Sequence, residues 1–175
     1  HAVSNEYDYF TAVDDCSADD NAGAGHLGTV EFNSSTLYRY STVNIAELME
    51  NGLSIDEVCD VLSGYLEAFI KAMPTGKQNT FANRTLPCFT YVTIREDQPI
   101  NMAGAFEKAV TGNGKGYEKD SIDAFLEYTK KVYENYAEYP KKSFVVCLDD
   151  VNTEAERVKM KDLARLVEKE IRNYN

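Results

Sequence analysis

The sequence predicts a single α+β unit, residues 1–175, that opens on an acidic segment around a polar loop. Three observations carry this. Runs rich in β-branched and aromatic residues mix with helical stripes without a regular βαβ repeat. Hydrophobic residues make up 43% of the 175, enough for one ordinary core. The first 35 residues carry seven acids and no Lys or Arg, around a Gly-rich loop with no core residues.

In chain order, Tyr7–Val13 (YDYFTAV) reads as a strand, and the polar loop DDCSADDNAGAG follows. HLGTVEF, NSS and TLYRYSTV then read as strand, turn and strand. Asn44 caps a short helix closed by Gly52. Ser54-Ile-Asp-Glu57 is a capping box, followed by a stripe of Ile55, Val58, Cys59, Leu62, Leu66, Phe69 and Ile70 at helical spacing. Beyond Pro74 comes a long polar loop, TGKQNTFANRTLP. Cys88–Glu96 reads as a strand and Met102–Val110 as a short helix. A long helix is capped by Asp120 or Ser121 and runs to Tyr139, where Pro140 stops it. Ser143–Leu148 is a buried-type strand, and Glu154–Asn173 a last amphipathic helix.

Charge and composition bound the function. The net charge of −11 disfavours nucleic acid taken alone, yet residues 71–119 carry seven bases against four acids. An anionic ligand is therefore expected on the middle of the chain. No apolar run reaches the roughly 18 residues of a membrane span, so the expectation is a cytoplasmic protein with no membrane partner. Cys16, Cys59, Cys88 and Cys147 lack CxxC spacing and read as reduced thiols. The start at His1 rather than Met points to a fragment or processed product.

Few residues invite catalysis. Asp14, Asp15, Asp19 and Asp20 could hold a divalent cation, but the loop lacks the EF-hand pattern and reads as a solvated acidic loop. His26 stands in GHLG without a nucleophile beside it. No Walker loop, GxSxG or HExxH is present, and no cofactor or metal is called for. Leu27, between glycines in a polar stretch, is either an idle exposed leucine or a wedge between stacked bases. Tyr9 and Phe10 are either core aromatics or a base-stacking pair. Lys77, Gln78, Asn79 and Arg84 share one donor-rich loop, either solvated or a phosphate cradle.

The runs YDYFTAVDD, AGHLGTVEFNSSTLYRY, TVNIAELMENG, GKQNTFANRTLP and NMAGAFEKAV resemble the CasC family, the Cas-seven-type backbone subunit of type I-E CRISPR Cascade, over roughly residues 1–110. The resemblance implies the C-terminal half of a longer chain. It implies a partial ferredoxin-like (RRM-like) palm with helical insertions, about residues 33–175, and a projecting β-hairpin thumb, about residues 5–32. It further implies a non-catalytic subunit that binds guide RNA (crRNA), other copies of itself in a helical filament, other Cascade subunits, and target DNA through the guide. Leu27 then matches the wedge at an RNA kink, with Phe10 and Thr11 beside it and His26 on the thumb surface. The resemblance and the polar-loop reading together give the expected RNA-binding set: Phe10, Thr11, His26, Leu27, Lys77, Gln78 and Arg84. Thr111, Gly112 and Asn113 stand where the family carries lysines. The rival expectation is a metal-dependent ribonuclease using Asp14 or Asp15, and a third is a protein-interaction module without RNA contact.

Overall fold

A computed structural model describes residues 5–13, 24–33, 35–112 and 114–173, and of residues 12, 13 and 24–26 the backbone alone. The chain runs β1 (Asn5–Val13), β2 (Ala24–Asn33), α1 (Ile45–Glu50), α2 (Ile55–Lys71), α3 (Gln78–Phe81) and β3 (Phe89–Ile94). A 3₁₀ turn (Met102–Phe106), α4 (Glu118–Asn135), β4 (Lys142–Cys147), β5 (Glu156–Arg157) and α5 (Met160–Arg172) complete it. The α+β class expected from the sequence is what forms.

The body is a three-stranded sheet, β3-β4-β5, covered by helices on both faces. β3 and β4 pair antiparallel with Val92 opposite Phe144, and β5 adds parallel to β4. Strand alternation sends Val92, Ile94, Phe144 and Val146 to one face, where Val58, Cys59, Leu62 and Ile70 of α2 and Leu163, Val167 and Ile171 of α5 meet them. Phe89 and Tyr91 point the other way, onto Phe125 and Tyr133 of α4 and Met102. These three strands are compatible with part of a ferredoxin-like sheet, which has four.

Local signals placed the helices of the first core. The Ser54 hydroxyl accepts from Glu57 N at 3.3 Å, and the Glu57 carboxylate accepts from Ser54 N at 2.8 Å, closing the capping box. Asn44 Oδ1 accepts from Glu47 N at 3.2 Å, and Gly52, at φ +98°, closes α1 in a conformation glycine adopts freely. The sulfurs of Cys59, Cys88 and Cys147 are free thiols, as expected, while Cys16 lies outside the described residues.

Four readings are corrected. TLYRYSTV is no strand over residues 36–43. Its side chains are anchored singly to different elements: Tyr38 donates to Asn101 Oδ1 at 3.1 Å, Arg39 to the Ala72 carbonyl at 2.9 Å, and Ser41 accepts from Tyr65. With both sides of the segment engaged this way, β propensity finds no ladder to join. Met102–Val110 forms only a five-residue 3₁₀ turn. The α4 helix starts from Tyr117 rather than Asp120 or Ser121, and it stops at Asn135. There the amides of Tyr136 and Ala137 both converge on the Val132 carbonyl, four residues ahead of Pro140. The last helix starts at Met160 because Glu156 and Arg157 are drawn into the sheet beside Phe144 and Val145.

Candidate nucleic-acid interface

β1 and β2 form a two-stranded antiparallel ribbon outside the three-stranded sheet. The register sets Glu6 opposite Phe32, Asp8 opposite Val30, Phe10 opposite Gly28 and Thr11 opposite Leu27, with an irregularity at Ala12/Val13. Because side chains alternate, this register assigns every residue a face. One face carries Glu6, Asp8, Phe10, Gly28, Val30 and Phe32. The other carries Tyr7, Tyr9, Thr11, Leu27, Thr29 and Glu31.

Of the expected hairpin set, Thr11 and Leu27 are therefore cross-strand partners on one face, and Leu27 is 71% exposed. Nothing in the hydrophobic cores calls for it. Phe10 turns to the opposite face and lies over Gly28: a Cβ on that glycine would stand 2.5 Å from Phe10 Cζ. Tyr9 and Phe10 are consequently split between faces, so they are not a side-by-side pair. The backbone of His26 pairs with Ala12, and its side chain lies outside the described part. Asp14, Asp15, Asp19 and Asp20 also lie outside it. Among the described residues no group of three or more His, Cys, Asp and Glu is arranged to hold a metal ion.

The foot of the hairpin rests on the polar loop. Phe32 and Phe81 meet with ring centroids 4.5 Å apart and planes at 38°. Phe81 ends α3, a single helical turn held between two residues in the left-handed region, Lys77 at φ +56° and Ala82 at φ +51°. Non-glycine residues enter this region at a cost of about 1–2 kcal/mol, a strain that the rest of the structure must hold in place. The Asn83 Oδ1 behind this turn is buried and lacks a hydrogen-bond partner among the described residues.

The same loop borders a groove of about 360 Å³ whose polar lining is Lys71, Thr75, Gln78, Arg84 and Thr85. Gln78 and Arg84 are thereby brought together as the sequence suggested, and Lys77 stands at the start of the turn between them and the hairpin foot. Lys71 is tied to Glu67 at 2.6 Å. The side chains of Lys77 and Arg84 have no ion-pair partner among the described residues. Leu27 stands five residues up β2 from Phe32, roughly 17 Å at about 3.4 Å per residue. Leu27 and Phe32, whose ring rests on the loop that borders the groove, thus lie along one strand of the hairpin.

Sequence reasoning did not find Phe32, Phe81 or the left-handed turn. Phe81 was the available signal, as the only aromatic residue in TGKQNTFANRTLP. The positive φ angles at Lys77 and Ala82 have no sequence mark, since neither residue is Gly or Asn.

The chain as a whole is similar to known proteins in family and fold. The family model described as CT1975-like protein matches residues 1–169. Comparison with curated proteins finds no match. Among solved structures, a chain of a "CRISPR RNA-guided surveillance complex, pre-nicking" superposes with a TM-score of 0.88 at 29% identity, over 98% of this chain and 52% of that one. A chain of a "CRISPR RNA-guided surveillance complex" superposes with a TM-score of 0.86 at 28% identity, over 100% of this chain and 67% of that one. The present chain thus spans about half to two thirds of the length of the chains it resembles.

Proposed function

The chain belongs to the CT1975-like protein family, and from that premise we propose that it is the guide-RNA-binding part of a backbone subunit in a CRISPR surveillance complex. The observation that carries the reading is Leu27: an exposed aliphatic side chain on the hairpin, five residues (about 17 Å) along β2 from Phe32, whose ring rests on Phe81 of the loop that carries Lys77 and Arg84. The groove residues Gln78 and Arg84, with Lys77 beside them, hold the phosphate rail without reading sequence. The leucine enters the stack and separates neighbouring bases.

Within this reading the complex is of type I-E and the chain is CasC-like. Copies assemble as a filament along the guide, alongside other Cascade subunits, in the cytoplasm. The guide pairs with target DNA, and the chain performs no chemistry. The charge of −11 is unevenly spread along the sequence: residues 1–35 carry seven acids and no Lys or Arg, whereas residues 71–119, which include the groove loop, carry seven bases against four acids.

The test is assembly of the full-length protein on guide RNA with Leu27→Asp. Loss of ordered filaments with retained, salt-sensitive RNA binding is expected. A mutant that assembles like wild type removes the wedge. Incubation with RNA and Mg²⁺ should leave the RNA intact. Cutting that disappears in an Asp14→Ala, Asp15→Ala control establishes the ribonuclease reading instead, and assembly that persists after RNase treatment, with no RNA carried along, establishes the protein-interaction module.

A further inference from the structure

The groove that Gln78 and Arg84 share has one wall of the wrong polarity for an anion. Lys71, Ala72 and Met73 line it, and α2 ends there, with Ala72 as its C-cap. The last carbonyls of a helix have no intrahelical partner and together carry about half an elementary negative charge. The one basic residue in the last turn of α2 is Lys71, and it is paired with Glu67 at 2.6 Å. A phosphate resting in this groove would therefore face a negative pole unless another cation covered it.

Arg39 covers it. Its Nη1 donates to the Ala72 carbonyl at 2.9 Å, and its guanidinium carbon lies 4.6 Å from the centre of the Phe69 ring, three residues back along α2. The backbone on either side is held as well. Tyr38 donates to Asn101 Oδ1 at 3.1 Å, and Ser41 accepts from Tyr65, whose ring stacks on Phe69 with centroids 5.8 Å apart. A guanidinium that is stacked and hydrogen-bonded in advance loses little freedom when a ligand arrives.

The charge of Arg39 is not balanced by an acid. It has no ion-pair partner among the described residues, and the groove lining contains no Asp or Glu. A guanidinium has five N–H donors, and beyond the bond to Ala72 those of Arg39 meet no acceptor among the described residues. A neutral donor would satisfy one carbonyl equally well. A guanidinium adds a full charge and a planar fork that matches two phosphate oxygens. Arg39 is also the first Lys or Arg of the chain, in the segment that leads from β2 to α1.

We infer that Arg39 is a phosphate-binding residue of this groove: one N–H covers the C-terminal carbonyl of α2, and the rest of the guanidinium meets a backbone phosphate of the guide RNA. The inference rests on the guide-RNA reading above. It adds to the loop cations Lys77 and Arg84 one supplied by a separate part of the chain.

The experiment measures binding of the full-length protein to a fluorescein-labelled single-stranded RNA from about 50 to about 200 mM salt, beside thermal unfolding of each protein. Arg39→Gln removes the charge and keeps a donor. It should flatten the slope of log K against log salt by about 0.7, so its deficit against wild type should shrink roughly 2.6-fold over that range. Arg39→Lys keeps the charge and should keep the wild-type slope. A residue that only capped α2 would shift the unfolding temperature and leave the slope alone.

A wild-type slope in Arg39→Gln overturns the inference. So does an Arg39→Lys variant as flat as Arg39→Gln, which would trace the loss to packing on Phe69 rather than to charge. If wild-type protein binds no RNA at all, the guide-RNA reading falls as well. If wild type binds with a salt dependence that Arg39→Gln shares, only the role of Arg39 falls.

Discussion

Phe32 and Phe81 join two regions that the sequence separates by nearly fifty residues. Their rings meet at 4.5 Å, and this contact sets where the hairpin leaves the body relative to the groove lined by Gln78 and Arg84. Phe32 lies on the same face of the ribbon as Phe10 and opposite to Leu27, so the polar loop grips the hairpin from behind the wedge. Force on Leu27 from a parted base stack would be transmitted down β2 to this seat.

The pair should therefore behave as one unit. Phe32→Ala and Phe81→Ala should each destabilise the protein, and the double variant should fall short of their sum by about 0.5–1.5 kcal/mol, the usual coupling of an aromatic pair. Urea unfolding of the four proteins measures this. Additive effects would mean that the rings are neighbours without mutual support.

Ala82 occupies the left-handed region at φ +51° with nothing but a methyl group to show for it. Ala82→Gly removes a strain of about 1–2 kcal/mol and adds back about 0.5–1 kcal/mol of backbone entropy in the unfolded chain. A net gain of roughly 0.5–1 kcal/mol is expected in thermal or urea unfolding. A loss of stability would show that the turn is not strained.

Lys77 and Arg84 are the cations of the proposed phosphate cradle. Taking away one cation–phosphate pairing should reduce the slope of log K against log salt by about 0.7 for a single strand. Lys77→Ala with Arg84→Ala should flatten it by about 1.4. Lys130→Ala, in which an α4 lysine already paired with Glu134 at 3.7 Å is removed, should leave the slope as it was. Equal slopes in all three proteins would take these loop cations out of the interface.

Much of the body was legible because it depends on short-range rules. The Ser54–Glu57 box and the Val58–Cys59–Leu62–Ile70 stripe fix α2 without reference to the rest of the fold. What escaped depends on tertiary context. The run at residues 36–43 has strand composition but meets anchors for its side chains, among them Asn101 and the Ala72 carbonyl, in place of a ladder. Glu156 and Arg157 look helical until β4 offers a parallel edge. At the candidate interface, Leu27 stood out because no periodic pattern required it. The division of Phe10 from Tyr9 needed the strand register, which composition does not carry.

A buried tyrosine pair predicts the response to alkali. Tyr133 is held well above the usual tyrosine range by burial first and then by Tyr91 beside it, and Tyr91 is raised chiefly by burial. The Arg95 guanidinium, 5.2 Å over the Tyr133 ring, opposes this more weakly. Below pH about 10 the folded and unfolded chains both hold these protons. Above it the unfolded chain releases them first, so stability falls as pH rises. Tyr133→Phe should be less sensitive to pH above 10 in urea unfolding. A wild-type curve as flat as the variant's would contradict the burial of these hydroxyls.

The last expectation concerns Gly28, whose missing side chain makes room for Phe10. A Cβ there would stand 2.5 Å from Phe10 Cζ and 2.8 Å from Cε1. An aromatic ring is stiff, so it must swing off the ribbon as a whole. Gly28→Ala should therefore cost about 1–3 kcal/mol, as overpacking does elsewhere, if the hairpin is coupled to the global transition through Phe32. The cost should vanish when Phe10 is already gone: Phe10→Ala with Gly28→Ala should be no less stable than Phe10→Ala alone. Leu27 stands on the other face, so the RNA contact proposed for it should persist in the double variant, provided that the β1–β2 register survives. RNA binding at wild-type strength in that protein, measured beside its unfolding curve, separates the face that braces the hairpin from the face that meets the guide. Loss of RNA binding with register intact would return Phe10 to the interface.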